Sequence, residues 1–132
     1  MFSADLAEIV LIVEDVALSK AFYRDVVGLA LRTESEDWAW FWAGEPEHSA
    51  NIGLHKGRLL MQEHSPHGPE HKWGLLHYAF RVPRERLQSA VEHVRSHGVE
   101  VYGPVHFEWM KADSHYFYDP DGHVLEWWSP ES

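Results

Sequence analysis

The stretch HYFYDPDGHVLE, residues 115–126, decides the fold. Its middle, Asp119-Pro120-Asp121-Gly122, is a tight-turn sequence. Proline presets the backbone for the second turn position, and glycine supplies a positive φ at its end. Aromatic and aliphatic residues on either side mark strands at 115–119 and 123–129.

Working outward, 99–102 and 105–109 read as further strands. Before them, Leu87, Ala90, Val91 and Val94 recur at helical spacing, with Pro83 suited to the helix start and Gly98 to its end. Residues 75–82, Leu-Leu-His-Tyr-Ala-Phe-Arg-Val, form the strand that opens this half. The first half has the same order. A β-branched strand at 7–13 precedes an N-cap at Asp15 and a helix over 16–27, with Leu18, Ala21, Phe22 and Val26 on its apolar face. Gly28 stops that helix, and extended stretches follow at 29–34, 37–43, 51–55 and 58–62, the last two as a hairpin at Lys56-Gly57. The polar, breaker-rich stretch 64–74 is a linker.

The repeat keeps its phase: Glu8 to Gly28 spans 20 residues and His77 to Gly98 spans 21. A half of roughly 60 residues buries too little surface to stand alone, so the two halves are expected to share a core. The expected class is α+β: two βαβββ modules (5–63 and 75–130) forming a curved mixed sheet with helices on its convex face.

Composition narrows the function. A net charge of −10 opposes nucleic-acid backbones and suits neutral or cationic small molecules. The absence of cysteine excludes disulfides, thiolate metal sites and thiol nucleophiles. No basic, apolar leader and no run of ~20 apolar residues is present, so a cytoplasmic location away from membranes is the default expectation. Seven Trp exceed what so small a core needs, which puts some of them in a pocket or an interface.

Side chains alternate along strands, so parity sorts the candidates. Ile9, Leu11 and Val13 form a helix-facing set, with Glu8 and Val10 opposite. Tyr78, Phe80 and Val82 match that set in the second module, which places His77 and Ala79 on the face of Glu8. In the last strand Glu126 goes with Val124 and Trp128. One imidazole and two carboxylates on an apolar face are costly unless paired, and a divalent cation (Mn, Fe, Ni or Zn) satisfies them. Parity alone leaves alternatives open: Glu8 as a solvent-facing residue, and Glu126 as a partner of Arg81. Trp38, Trp40 and Trp42 alternate on one face, either as pocket wall or as core and interface.

The stretches 76–82 and 115–126, with the opening 8–15 and 21–29, resemble the vicinal oxygen chelate superfamily of glyoxalases, extradiol dioxygenases, and fosfomycin- and bleomycin-resistance proteins. The resemblance implies metal ligands at Glu8, His77 and Glu126, with Glu8 standing where His or Gln is usual. It also implies Tyr116 near the substrate. Members like glyoxalase carry a further Glu on the closing strand of module one. Here that strand is 58–62, with no carboxylate in its centre and Gln62 as a weak stand-in. The expected function is a divalent-metal enzyme polarising a small oxygen-bearing substrate, with Glu8 and Tyr116 as catalytic groups and Trp38, Trp40, Trp42, Gln62 and Trp128 lining the pocket. The alternative is a non-catalytic protein that sequesters a cationic aromatic molecule. Either way the resemblance implies a homodimer.

Overall fold

The computed structural model describes residues 1–57, 66 and 74–131. Their contacts divide the chain into two compact units, Met1–Gly74 and Leu75–Ser132. Each unit is a βαβββ module around its own four-stranded mixed sheet.

In the first unit β1 (Glu8–Val13) leads to α1 (Val16–Ala21), which runs on as a π-helical turn, Phe22–Val27. Asp15 Oδ1 caps α1 by accepting from the Leu18 amide at 3.0 Å. Gly28, at φ 85°, closes the helix in the left-handed region. Then come β2 (Ala30–Glu34), β3 (Trp38–Trp42) and β4 (Asn51–Lys56), in sheet order β1-β4-β3-β2.

Alternation gives this sheet its two faces. Leu11, Val13, Ala39, Phe41, Ile52 and Leu54 are all buried, on the side where α1 packs against β3 and β4. The helix face differs in part from the one expected. Leu18 is exposed, while the expected Phe22 and Val26 are buried together with Val16, Ser19, Tyr23 and Val27. From Ser19 onward these positions follow the i, i+3, i+4, i+7, i+8 spacing. The small buried Ser19, which hydropathy overlooks, lies within that stripe.

The closing strand also needs correcting. β4 pairs parallel with β1, Glu8 opposite Asn51, so β4 is the strand that completes the module. Residues 58–62, Gln62 among them, lie outside the described residues, as does most of 64–74.

In the second unit β5 (His77–Arg81) leads through a 3-10 turn (Arg84–Arg86) into α2 (Leu87–Ser96). The helix buries Leu87, Val91 and Val94 and packs on the closing strand. β6 (Tyr102–Phe107), β7 (Ala112–Tyr118) and β8 (Val124–Pro130) complete the order β5-β8-β7-β6. The two short strands expected at 99–102 and 105–109 are one strand, β6, carrying a register shift between Tyr102 and Val105. The Asp119 turn forms as expected. Asp119 Oδ1 accepts from the amides of Asp121 and His123, both at 2.9 Å. The ring of His123 then accepts the Leu76 amide at 2.9 Å, which ties the start of β5 to the start of β8.

A charged cluster holds the β6–β7 edge. Arg84 donates to Asp113 and to the Ser129 carbonyl, and His106 bridges Asp113 and Glu108. Contact with Arg84 first, and His106 second, holds the Asp113 carboxyl below its ordinary range. Hydrogen bonds to Glu108 and Asp113 raise His106 above its ordinary value of 6.5. A raised histidine stabilises fully below its unfolded-state pKa and loses that contribution as pH rises through the folded-state value. A lowered carboxyl does the reverse, losing its contribution as pH falls below the ordinary 3.8. The thermal midpoint of wild type over His106→Gln should therefore show its largest margin near about pH 5–6 and a shrinking one above neutrality. A margin independent of pH between about 5 and 9 would contradict this assignment.

Candidate functional site

The face of the second sheet opposite α2 carries the polar groups. Glu126 in β8 is only 7% exposed, so its charge needs partners. It has two. Oε1 lies 2.9 Å from His77 Nε2 on the opening strand, and Oε2 accepts from the fully buried Ser114 hydroxyl at 2.5 Å. Arg81, the alternative partner considered from sequence, is not what holds it.

Registry explains the convergence. β5 runs parallel to β8 with Ala79 opposite Glu126, which sets His77 two residues diagonally away on the same face. β7 runs antiparallel with Tyr116 opposite Glu126, so Ser114 is the diagonal neighbour on the other side. The Tyr116 ring stands edge-on to His77, centroids 5.9 Å apart. Trp128 shares the face, opposite Ser114. Its indole nitrogen is buried without a hydrogen-bond partner among the described residues. His115 points the other way, opposite Trp127, where burial foremost and the Arg95 cation next hold it below the ordinary histidine value.

The first unit has the matching face, with different chemistry. Glu8, Arg32, Thr33, Trp38, Trp40 and Asn51 line a cavity of about 260 Å³. Trp42 shares that face and lies under the Arg32 guanidinium, 4.7 Å from ring centroid to Cζ. Superposing the two registers, Glu8 on His77, puts Gly53 where module two has Glu126, and Trp40 where it has Tyr116. A Cβ on Gly53 would fall 2.6 Å from the Trp40 ring. The indole thus lies across the position that a second module-one carboxylate would need.

Among the described residues no three His, Cys, Asp or Glu side chains are gathered closely enough to hold an ion. His77 and Glu126 are brought together, and Glu8 stands in the other unit. The pair itself suits a metal. Two ligand atoms each ~2.1 Å from an ion and about 90° apart lie ~3 Å from each other, the separation seen here. The same 2.9 Å is a good hydrogen bond, so the pair is satisfied with or without an ion. Ser114, which sequence reasoning missed, donates to Glu126 Oε2, the kind of outer contact that orients a carboxylate. Its parity with Tyr116, two residues on, was the available signal. Arg32 was also missed, since nothing in its local pattern separates it from a solvated strand residue.

Two βαβββ units, the second with a His on its opening strand against a buried Glu on its closing strand, define a vicinal-oxygen-chelate protein. The chain belongs to the Glyoxalase/Bleomycin resistance protein/Dioxygenase superfamily, whose family model matches residues 5–127. The uncharacterized protein YaeR of Escherichia coli (strain K12) is 32% identical over 125 residues, covering 89% of this chain and 90% of that one. An integron cassette protein from the mobile metagenome of the Halifax Harbour sewage outfall superposes with a TM-score of 0.76 at 27% identity, covering 96% of this chain and 99% of that one. The fosfomycin resistance protein FosX of Listeria monocytogenes, solved with Mn(II) and 1S,2S-dihydroxypropylphosphonic acid, shares the fold. Its TM-score is 0.70 at 24% identity, with 96% of this chain and 90% of that one covered.

Two substitutions probe the site. Ser114→Ala leaves Glu126 Oε2 without its donor and should weaken divalent-metal affinity by about 10–100-fold, measured by competition with a chromogenic chelator. Gly53→Ala should displace the Trp40 ring, changing tryptophan fluorescence and costing about 1–3 kcal/mol in denaturant unfolding. An unchanged spectrum and stability would refute the close approach.

Proposed function

We propose that this protein is a divalent-metal-dependent enzyme that acts on a small oxygen-bearing substrate, in the manner of the glyoxalase and dioxygenase members of its superfamily. The observation that carries the reading is the buried Glu126 carboxylate held between His77 and Ser114, in a polar cluster the fold itself does not require.

His77 Nε2 and Glu126 Oε1 would hold the ion, with Glu8 as the third ligand, contributed by module one of the same chain or of a second copy. A neutral imidazole and two carboxylates suit Mn, Fe, Ni or Zn in the 2+ state. The Mn(II) in the FosX structure supports a divalent ion in this scaffold. When bound, the ion would act as a Lewis acid on two oxygens of the substrate.

The protein's own groups do the rest. Ser114 holds one oxygen of Glu126 and would leave the other, beside His77, to meet the ion. Tyr116, whose ring stands beside His77, would donate its phenolic proton to a substrate oxygen gaining negative charge. Glu8 would serve as ligand and base, moving a proton from a carbon or oxygen next to the chelated group. The indoles of Trp38 and Trp40 would exclude water around that carboxylate. Trp42 and Trp128, on the sheet faces that carry Glu8 and Glu126, would extend the apolar wall. A homodimer fits these faces, because tryptophans at open sheet surfaces favour cover by a second copy. The acidic chain remains compatible with a cytoplasmic protein that binds neither membranes nor nucleic acid. No helix among the described residues is long and apolar enough to cross a bilayer.

The competing reading is a sequestering protein that takes up cationic aromatics without catalysis, which the seven Trp and the charge of −10 favour. Metal analysis of protein purified without a histidine tag separates the two. The enzyme reading expects about one divalent ion per chain and a thermal midpoint lowered by chelator. Saturation at a hundred times Kd contributes ~2.7 kcal/mol to stability. His77→Ala and Glu126→Ala should abolish both effects. Metal-free protein, indifferent to chelator and tight for flat organic cations, would establish the sequestering class instead.

A further inference from the structure

Arg32 lines the cavity around Glu8 and takes no part in the His77–Glu126 pair. Arg32 sits at the register shift between Leu31 and Thr33 of β2. Its Nη1 donates to Asn51 Oδ1 at 3.1 Å, and its guanidinium carbon stands 4.7 Å from the Trp42 ring centroid. Asn51 lies opposite Glu8 on one side and opposite Trp42 on the other. The side chain is therefore stacked and tethered along the line that leads to Glu8.

Three of the nine described lysines and arginines pair with a carboxylate. Lys20 pairs with Glu34, Arg24 with Asp25 and Arg84 with Asp113. Arg32 pairs with no carboxylate among the described residues, and its one side-chain hydrogen bond goes to a neutral amide. A guanidinium has five donors in a rigid fork suited to oxyanions, and stacking on an aromatic face leaves its outer edge free to donate.

We propose that Arg32 anchors an oxyanion group of the substrate, a carboxylate or a phosphonate, whose compact apolar body rests on Trp38 and Trp40. The cavity of about 260 Å³ is of a size for a small molecule. The site reverses, locally, the preference for neutral or cationic ligands that the net charge suggests. It rests on the proposed function insofar as Glu8's cavity receives the substrate, but it does not need the metal, because the Arg32 fork is assembled by residues of module one alone.

The test is calorimetric titration of the full chain, metal-free and with Mn(II), using phenylacetate, phenylphosphonate, neutral phenylacetamide and cationic phenethylamine. At least one anion should bind ten-fold or more tighter than phenylacetamide, and the better of the two names the oxyanion. Arg32→Met, which keeps an unbranched apolar side chain without the charge, should erase that margin, and Arg32→Lys should restore part of it. Glu8→Gln should tighten anion binding to metal-free protein by removing a like charge. The proposal is overturned if the neutral or cationic probe binds as well as the anions, if Arg32→Met keeps the margin, or if neither anion binds at millimolar concentration. Failure of Mn(II) to bind, with the Arg32-dependent margin intact, would remove the metal reading and leave this one standing.

Discussion

The second module is organised around one problem, a carboxylate placed almost out of water. Glu126 is 7% exposed in the middle of a strand whose neighbours Leu125 and Trp127 belong to the core. An ionised carboxylate there costs several kcal/mol unless both oxygens are met. Two further strands meet them, His77 from β5 and Ser114 from β7, each diagonal to Glu126 in the ladder. The Asp119 turn contributes from outside. By fixing His123 it holds the Leu76 amide, and with it the residue before His77. Turn chemistry, strand register and the polar pair thus form one connected device.

The two modules show how one backbone plan supports unlike chemistry. Register places Gly53 where its counterpart is Glu126, and Trp40 where its counterpart is Tyr116. In one module a carboxylate and a phenol face each other across the ladder; in the other an indole lies over a bare glycine. The exchange removes a potential ligand and adds an apolar wall. It leaves Glu8 as the acidic group of the first module's cavity, with Arg32 as its cationic counterpart. An acidic protein can therefore hold a locally basic point, set by stacking on Trp42 and the Asn51 amide rather than by net charge.

Much of this was legible because β periodicity is strict. Parity in β1, β5 and β8 separated Leu11, Val13, Leu125 and Trp127 from Glu8, His77 and Glu126; burial follows that division in β1 and β5, while in β8 Glu126 is buried along with Leu125 and Trp127. Helix faces were read less well. The first helix was read in part: Phe22 and Val26 are buried as expected, but Ser19, small and polar, is fully buried, whereas Leu18 is apolar and exposed. Ser114 escaped notice for a related reason: a serine in a strand has no hydropathy signature, and its role exists only through the carboxylate diagonal to it.

The sequence by itself determined the two βαβββ units, the turn at Asp119 and the pairing of His77 with Glu126 on one face, because these depend on local periodicity and on residues that tolerate few backbone conformations. Only the tertiary structure decided which strand closes the first module, that Trp40 covers Gly53, and that Arg32 stands beside Glu8. Those facts depend on cross-strand register between distant segments, and register is fixed by how whole strands pair rather than by any residue's own preference.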